Sequence, residues 1–274
     1  MLGLGNSLLR SKLIDTSIPY TENYSVSCDG TDDVISVANS EALTSPFKPT
    51  TAITISCWVL PNAWDTNTSS SFFTLVGNKL TGGYEVTLNT DGHGTNNTRI
   101  DFKIGVTNTG GGSDGYITAT VAKATVTGFS GWKNIVATYD GTTAKLYVNG
   151  DNSTGVTNAT SAGGASIDYS TSGPASQIQP LSFCGNIQHN YNYNGLIDNV
   201  AMWDVALDAA NVTKVYNSAD PFDLRSNSGN YNQSANLIGF WQFEENLGTS
   251  TADLAGNAGV ASFVNGPTWS TTVI

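Results

Sequence analysis

From Tyr24 almost to its end, the chain is a series of short segments in which apolar and polar residues alternate, separated by turn-forming residues. Such alternation is typical of half-buried β-strands, and Gly, Asn and Asp favour the turns between them. Asp140-Gly141 and Asn149-Gly150 are strong turn dipeptides, and the first joins two consecutive strands as a hairpin. The predicted strands are 34–37, 53–59, 72–76, 84–88, 100–106, 134–139, 144–148, 196–203 and 237–243.

One segment has helical spacing instead. Asp208 is a good N-cap residue, and Val212, Val215 and Tyr216 follow at spacings that place them on one helical face. A helix this short is stable only when its apolar face packs on something else, so we expect it to lie against the sheets.

The length of 274 residues suits one all-β domain with short extensions. Residues 1–20 fit neither a strand nor a helix, and we expect them to form an N-terminal docking arm, with 21–274 as the folded domain. Residues 107–115 and 151–176 are rich in turn-forming residues and are predicted to be long surface loops.

The formal net charge of −11 argues against nucleic acid and membrane surfaces as partners, because an acidic protein repels phosphates and anionic lipids. The acidic excess leaves room for a bound Ca²⁺. The start of the chain lacks the charged and apolar regions of a signal peptide, and no apolar run approaches the length of a membrane span. We therefore expect synthesis in a cytoplasm without an export signal.

The three cysteines, Cys28, Cys57 and Cys184, each lie inside an apolar, strand-like run. Since free cysteines are among the most frequently buried residues, we expect three unpaired, buried thiols. The alternative is one Cys28–Cys57 disulfide, which would leave Cys184 free.

Five segments resemble, in order, the laminin-G-like, concanavalin-A-like jelly-roll family. They are VSCDGTDDVI at 26–35, ITISCWV at 53–59, WKNIVATYDG at 132–141, LYVNG at 146–150 and GLIDNV at 195–200. Together with the helix they cover about residues 24–217. The resemblance implies a two-sheet antiparallel jelly-roll sandwich with one short helix.

The C-terminal segment departs from the family's usual order. LIGFWQFEE at 237–245 and ADLAGNAG at 252–259 resemble a segment that precedes the rest of the domain in most members. Here it follows, so we expect residues 236–269 to supply a permuted strand. This order, with the MLGLGNSL start, resembles structural proteins of tailed marine bacteriophages.

The resemblance also implies a calcium site. Its ligands would come from the opening turn, the GLIDNV aspartate and the C-terminal loop, which here are Asp32, Asp198, Asp253 and Asn257. Ca²⁺ takes six to eight oxygen ligands from such groups. The alternative is that Asp198 only hydrogen-bonds a turn. Asn199 stands where the family usually has a glutamate, which removes one charged ligand.

Two predicted loops combine aromatic rings with hydrogen-bonding side chains, the mixture that suits sugar rings and hydroxyls. The candidate carbohydrate-binding residues are Trp64, Asp65, His189, Tyr191 and Tyr193. The alternative is that these aromatic residues pack beneath their loops.

No catalytic constellation is evident. Glu244 and Glu245 are adjacent, so in a strand they would point to opposite faces and could not act as a glycosidase pair; we expect both to be solvated. His93 and His189 lack neighbours at zinc-ligand spacing.

The leading hypothesis is a non-catalytic virion structural protein, either a capsid decoration protein or a fibre component on the virion surface. Its arm would contact other virion proteins, its loops would meet host glycans, and it would form homo-oligomers. A free carbohydrate-binding lectin is the alternative, and a glycoside hydrolase is the third and weakest reading.

Overall fold

The strands and the helix of this chain follow the turn-separated pattern of its sequence. The computed structural model describes residues 18–62, 72–78, 82–91, 97–107, 115–122, 125, 129–153, 156–160, 166–169, 179–186, 191–257 and 259–274. The strands are β1 Ser25–Asp29, β2 Val34–Val37, β3 Ile53–Pro61, β4 Phe72–Gly77, β5 Tyr84–Asp91, β6 Asn97–Val106, β7 Gly115–Val121, β8 Lys133–Tyr139, β9 Thr143–Val148, β10 Val156–Thr157, β11 Ala159–Thr160, β12 Ser182–Phe183, β13 Asn194–Trp203, β14 Leu237–Trp241, β15 Ser250–Thr251, β16 Ala261–Val264 and β17 Thr268–Ser270. Helix α1 is Ala209–Tyr216, and a 3-10 helix spans Ser234–Asn236.

These strands form two antiparallel sheets. The first sheet has the order β11-β9-β8-β3-β13-β1-β17, and β14 also pairs with β13. The second has the order β10-β7-β6-β5-β4-β12-β2-β16-β15. The predicted two-sheet antiparallel sandwich with a short helix is confirmed.

The main core lies between the sheets, because every second residue of a strand points to the same face. Apolar residues occupy those alternate positions in strands of both sheets. They include Ile53, Ile55, Cys57 and Val59 of β3, Tyr84, Val86 and Leu88 of β5, and Ile100, Phe102 and Ile104 of β6.

A second, smaller core covers the outer face of the first sheet. Val212 and Val215 of α1 pack there with Trp203 of β13 and Phe240 of β14. Asp208 caps the helix as predicted, since its side chain accepts a hydrogen bond of 2.8 Å from the backbone N–H of Asn211. No helix in the described part of the chain is long and apolar enough to cross a membrane.

A β-bulge in β13 determines which residues of this strand pack in the main core and which pack in the second core. The register with β3 shifts between Asp198 and Ala201, and Asn199 has a left-handed φ of 45°. Ile197 and Val200 therefore both face the inter-sheet core although they are three residues apart. Asp198 points away from that core, towards the outer face of the first sheet.

Two expectations about the second half of the chain need correction. The segment 236–269 was expected to supply one permuted strand. It supplies β14 and part of β17 to the first sheet, and β15 and β16 to the second. Residues 151–176 are not a surface loop throughout. They include β10 and β11, and Ile167 and Tyr169 are buried against the main core.

The prediction of three unpaired thiols is wrong, because Cys28 and Cys184 form a disulfide with a Cα–Cα distance of 6.4 Å. It joins β1 of the first sheet to the residue after β12 of the second. The alternative Cys28–Cys57 bridge is also wrong. Cys28 aligns through Gly195 with Pro61, four residues from Cys57, so strand spacings put the two about 16 Å apart. Cys57 is free, and burial raises the pKa of its thiol to about 12.

The disulfide gives a first prediction. Alkylation of the unfolded chain without reductant should modify Cys57 alone, and alkylation after reduction should modify all three cysteines. Refolding in reductant should lower the free energy of unfolding by about 2–5 kcal/mol, the usual effect of losing a native disulfide.

Cys57→Ala should retain this response to reductant, because the bridge remains. The Cys28→Ala/Cys184→Ala double variant should start at the lower stability and show no response. Three thiols modified before reduction would contradict the assignment.

Candidate functional site

The residues that precede β1 are fastened to the end of β14. We call residues 18–24 the N-terminal segment. Glu244 accepts hydrogen bonds from the backbone N–H groups of Asn23 and Tyr24, at 2.8 and 3.0 Å, and from the Thr21 hydroxyl at 2.8 Å. The expectation that Glu244 is simply solvated is therefore wrong.

The opening end of this segment is also held. Arg225 donates a hydrogen bond to the Ile18 carbonyl, and Gln242 donates one to the Thr21 carbonyl. Ile18 to Tyr20, which were assigned to the predicted docking arm, thus contact the folded domain. Residues 1–17 of that arm lie outside the described residues.

Three acidic residues interact through their charges where the N-terminal segment lies on the first sheet. We call Glu22, Asp198 and Glu244 the carboxylate cluster. Asn199 connects two of them, since its backbone N–H donates to Asp198 Oδ1 and its Nδ2 donates to Glu22 Oε1, both at 2.7 Å. Tyr20 also donates its hydroxyl to Glu22 Oε1. Asp198 Oδ2 and Glu22 Oε2 are buried and have no hydrogen-bond partner among the described residues.

Burial dominates the electrostatics of the cluster. It raises the pKa of Asp198 well above its ordinary value, and the charge of Glu22 raises it further. Burial also raises the pKa of Glu22 to about 7, although hydrogen bonds from Tyr20 and Asn199 favour the ionised form. Two buried carboxylate oxygens without donors are costly, and a proton or a hard cation would relieve that cost.

The four residues implied as calcium ligands do not form one site. Asp32 lies in the turn after β1, where its carboxylate oxygen is within 4.8 Å of those of Asp29 and Asp33. Asp198 belongs to the carboxylate cluster. Among the described contacts, no hydrogen bond or charge interaction joins Asp32, Asp198 and Asp253.

Asp253 instead holds together the loop that contains Asn257. Its carboxylate accepts backbone hydrogen bonds from Phe240 at 3.0 Å, from Ala255 at 2.9 Å and from Asn257 at 2.8 Å. Asn257 donates its side-chain amide to the Ile238 carbonyl. Both side chains thus fasten the loop to β14.

Asp253→Ala should therefore destabilise the protein by about 2–3 kcal/mol, since it removes charge-assisted hydrogen bonds from buried backbone donors. Urea unfolding measures this, and the loss should be the same in a chelator and in Ca²⁺. A loss that appears only with Ca²⁺ would show that Asp253 is a ligand.

Polar side chains, several of them buried, line the face of the second sheet that points away from the main core. Strand register aligns two rows of side chains across β4 to β7. The first row is Thr74, Thr87, Asp101 and Thr120, and the second is Glu85, Lys103 and Thr118. Together with Tyr116 of β7 they form what we call the outer polar face.

The outer polar face combines ion pairs, hydroxyl groups and one exposed ring. Arg99 donates from Nε to both oxygens of Asp101, at 3.0 and 2.9 Å, and Lys103 lies 3.9 Å from Glu85. The hydroxyls of Thr74 and Thr87 are buried and have no hydrogen-bond partners within the part of the chain that the structure describes. Tyr116 is 46% exposed.

The predicted sugar-binding residues do not lie together in one exposed site. Trp64, Asp65 and His189 lie outside the described residues. Tyr191 is half-buried, and its carbonyl accepts a hydrogen bond from the Thr74 N–H at 2.9 Å, so it lies beside the first row of the outer polar face. Tyr193 is 1% exposed and donates its hydroxyl to the Leu196 carbonyl, which removes its ring from the candidate set.

The family comparison agrees with this architecture. The Laminin_G_3 model of the concanavalin A-like lectin/glucanases superfamily matches residues 29–213. The chain belongs to this superfamily. The predicted membership of this family is confirmed. The matched residues begin after Glu22 and end before Glu244. No curated protein matches the chain.

Solved structures also resemble this lectin-like domain. A candidate carbohydrate-binding protein from Bacteroides ovatus has a TM-score of 0.58 at 16% identity, over 93% of this chain and 62% of that one. Domains LG4-5 of the mouse laminin α1 chain give 0.42 at 14%, over 69% and 44%. Tailspike protein 2 of Escherichia coli O157:H7 bacteriophage CAB120 gives 0.43 at 14%, over 82% and 30%. The chain thus spans less than two thirds of each, and the first likeness supports the fold alone.

Proposed function

We propose that this lectin-like domain binds carbohydrate on its outer polar face without catalysing a reaction, as a structural protein displayed on a virion. The observation that carries sugar binding is the exposed ring of Tyr116 beside rows of polar side chains. An aromatic face stacks on the apolar face of a sugar ring, while hydroxyls and charged groups bond its hydroxyls.

The accessible part of the face lies on β7. Thr74, Thr87 and Asp101 are at most 1% exposed, whereas Tyr116 is 46% exposed and Thr118 and Thr120 are half-buried. We therefore expect a sugar to contact the side of the face that carries Tyr116, Thr118 and Thr120.

The carboxylates of the outer polar face favour binding over hydrolysis. A glycosidase needs one carboxylic acid that donates a proton and one carboxylate that acts as base or nucleophile. Asp101 is held by Arg99 and Thr120, and Glu85 lies beside Lys103. Each carboxylate is thus engaged by a neighbouring cation, an arrangement that does not match a glycosidase pair.

Two features support display on a particle. The N-terminal segment is fixed to the domain by Glu244 and Arg225, which gives the preceding residues 1–17 a firm point of attachment for docking. The Cys28–Cys184 disulfide suits a protein that works in an oxidising environment outside a cell. A free secreted lectin shares the second feature.

Sugar binding is tested with Tyr116→Ala on a glycan array and by calorimetry with the best ligand. Loss of the stacking surface should weaken affinity at least about tenfold, while stability changes little because the ring is exposed. Tyr116→Phe should retain most of the affinity. Leu247→Ala, which truncates a side chain that is 81% exposed in the loop after β14, is the matched control.

The glycan should remain intact after prolonged incubation. Equal affinity of wild-type protein and Tyr116→Ala would place the sugar elsewhere, and release of shorter sugars would contradict the non-catalytic assignment.

The virion role requires its own experiment. Purified particles should contain this chain by mass spectrometry, and imaging should show residues 1–17 against a neighbouring virion protein. Deletion of residues 1–17 should abolish incorporation and leave glycan binding by the domain unchanged. Glycan binding by a chain that is absent from every particle would favour the free lectin.

A further inference from the structure

A pocket lies where the N-terminal segment contacts the end of β14. Its volume is about 380 Å³, within the range of pockets that hold a small ligand. Ile18 and Pro19 of the N-terminal segment line it together with Ala252 and Leu254, which follow β15. Ile18 is 43% exposed, so the pocket offers apolar surface to a binding partner.

Negative charge surrounds this apolar lining. Glu244 and Glu245 also line the pocket, and Glu244 interacts through its charge with the other two members of the carboxylate cluster. Arg225 reaches the N-terminal segment as well, but it is paired with Asp223 at 2.8 Å. An apolar lining among carboxylates favours a partner that combines apolar side chains with positive charge.

The residues that precede the pocket have the matching composition. Residues 8–14 are Leu-Leu-Arg-Ser-Lys-Leu-Ile, so two cations, Arg10 and Lys12, stand between two pairs of aliphatic residues. The described chain begins at Ile18, which itself lines the pocket. In every copy of the protein, residues 1–17 therefore start beside a pocket of complementary character.

We propose that the pocket binds residues 8–14 of a second copy of this chain, so that two copies exchange their N-terminal arms. The aliphatic side chains of the arm enter the apolar lining, and its two cations lie against Glu244 and Glu245. This inference rests on the proposed docking role of residues 1–17, and it identifies the partner as the same protein and the receiving surface as this pocket.

The short connection to Ile18 favours a second copy over the same chain. Only residues 15–17 separate the binding segment from Ile18, whose carbonyl is held by Arg225. Binding in its own pocket would require the chain to reverse within those residues, and short hinges favour exchange between copies. Residues 8–17 span up to about 35 Å when fully extended, which is enough to cross between two copies whose pockets face each other.

The first test measures association of the full chain. Sedimentation velocity over a range of concentrations should show a dimer of the wild type. Ala252→Trp fills the pocket at an exposed position, and Arg10→Glu/Lys12→Glu reverses the charge of the arm. Each variant should raise the dissociation constant of the dimer at least about tenfold, the effect expected from loss of a central contact. Ala42→Trp, at an exposed alanine after β2 and outside the pocket lining, is the matched control and should associate as the wild type does.

Mixing the two variants separates loss of docking from loss of folding. The Ala252→Trp chain keeps an intact arm, and the Arg10→Glu/Lys12→Glu chain keeps an unblocked pocket. Their mixture should therefore form dimers joined by one exchanged arm, at a concentration where neither variant dimerises alone. Two misfolded variants would not complement each other in this way.

Cross-linking identifies which copy supplies the arm. Unlabelled and isotope-labelled wild-type chains are mixed and treated with a carbodiimide, which joins an amine to a carboxylate that it contacts. Lys12 of one label should be joined to Glu244 or Glu245 of the other label.

Three results would overturn the inference. They are a monomeric wild type, dimers that persist in both pocket and arm variants, and cross-links confined to chains of one label, which would place each arm in its own pocket. A monomer that still enters particles through residues 1–17 would leave the proposed function standing and assign the arm to a different virion protein. Glycan binding should be equal in all of these variants.

Discussion

The bulge in β13 is the constraint on which the outer surface of the first sheet depends. β13 pairs with β1, β3 and β14, so its register sets the positions of three neighbours. The extra residue lets Ile197 and Val200 both enter the main core and turns Trp203 towards the second core beneath α1. It also leaves Asp198 buried on the outer side, with one carboxylate oxygen bonded to the Asn199 N–H and the other without a donor among the described residues.

Local sequence patterns were sufficient to predict the sandwich and the helix. Alternating residues such as Ile53, Ile55 and Val59 predicted a strand that does face the core, and Asp208 does cap α1. The pattern failed at 151–176, where β10 and β11 have two residues each. Strands that short have too few positions for alternation to be visible, and their pairing with β7 and β9 decides their structure.

The site was less predictable because contacts between distant parts of the chain create it. Glu22 and Asn199 are 177 positions apart, and Cys28 and Cys184 are 156 apart. No spacing rule connects such residues before the fold is known. Asp198 was singled out through the family resemblance, but its partners were misassigned.

The outer polar face was also missed, because Thr87 and Asp101 look like ordinary polar positions of half-buried strands until their register aligns them.

The disulfide and the carboxylate cluster act on the same strand from opposite ends. β1 has five residues, and β17 pairs with it at the edge of the first sheet. Cys28 ties one end of β1 to the second sheet, while Glu244 holds Asn23 and Tyr24 just before the other end. Loss of either tether lets β1 and β17 separate more easily from β13. The two tethers therefore stabilise one cooperative unit, so their contributions to stability should be coupled rather than additive.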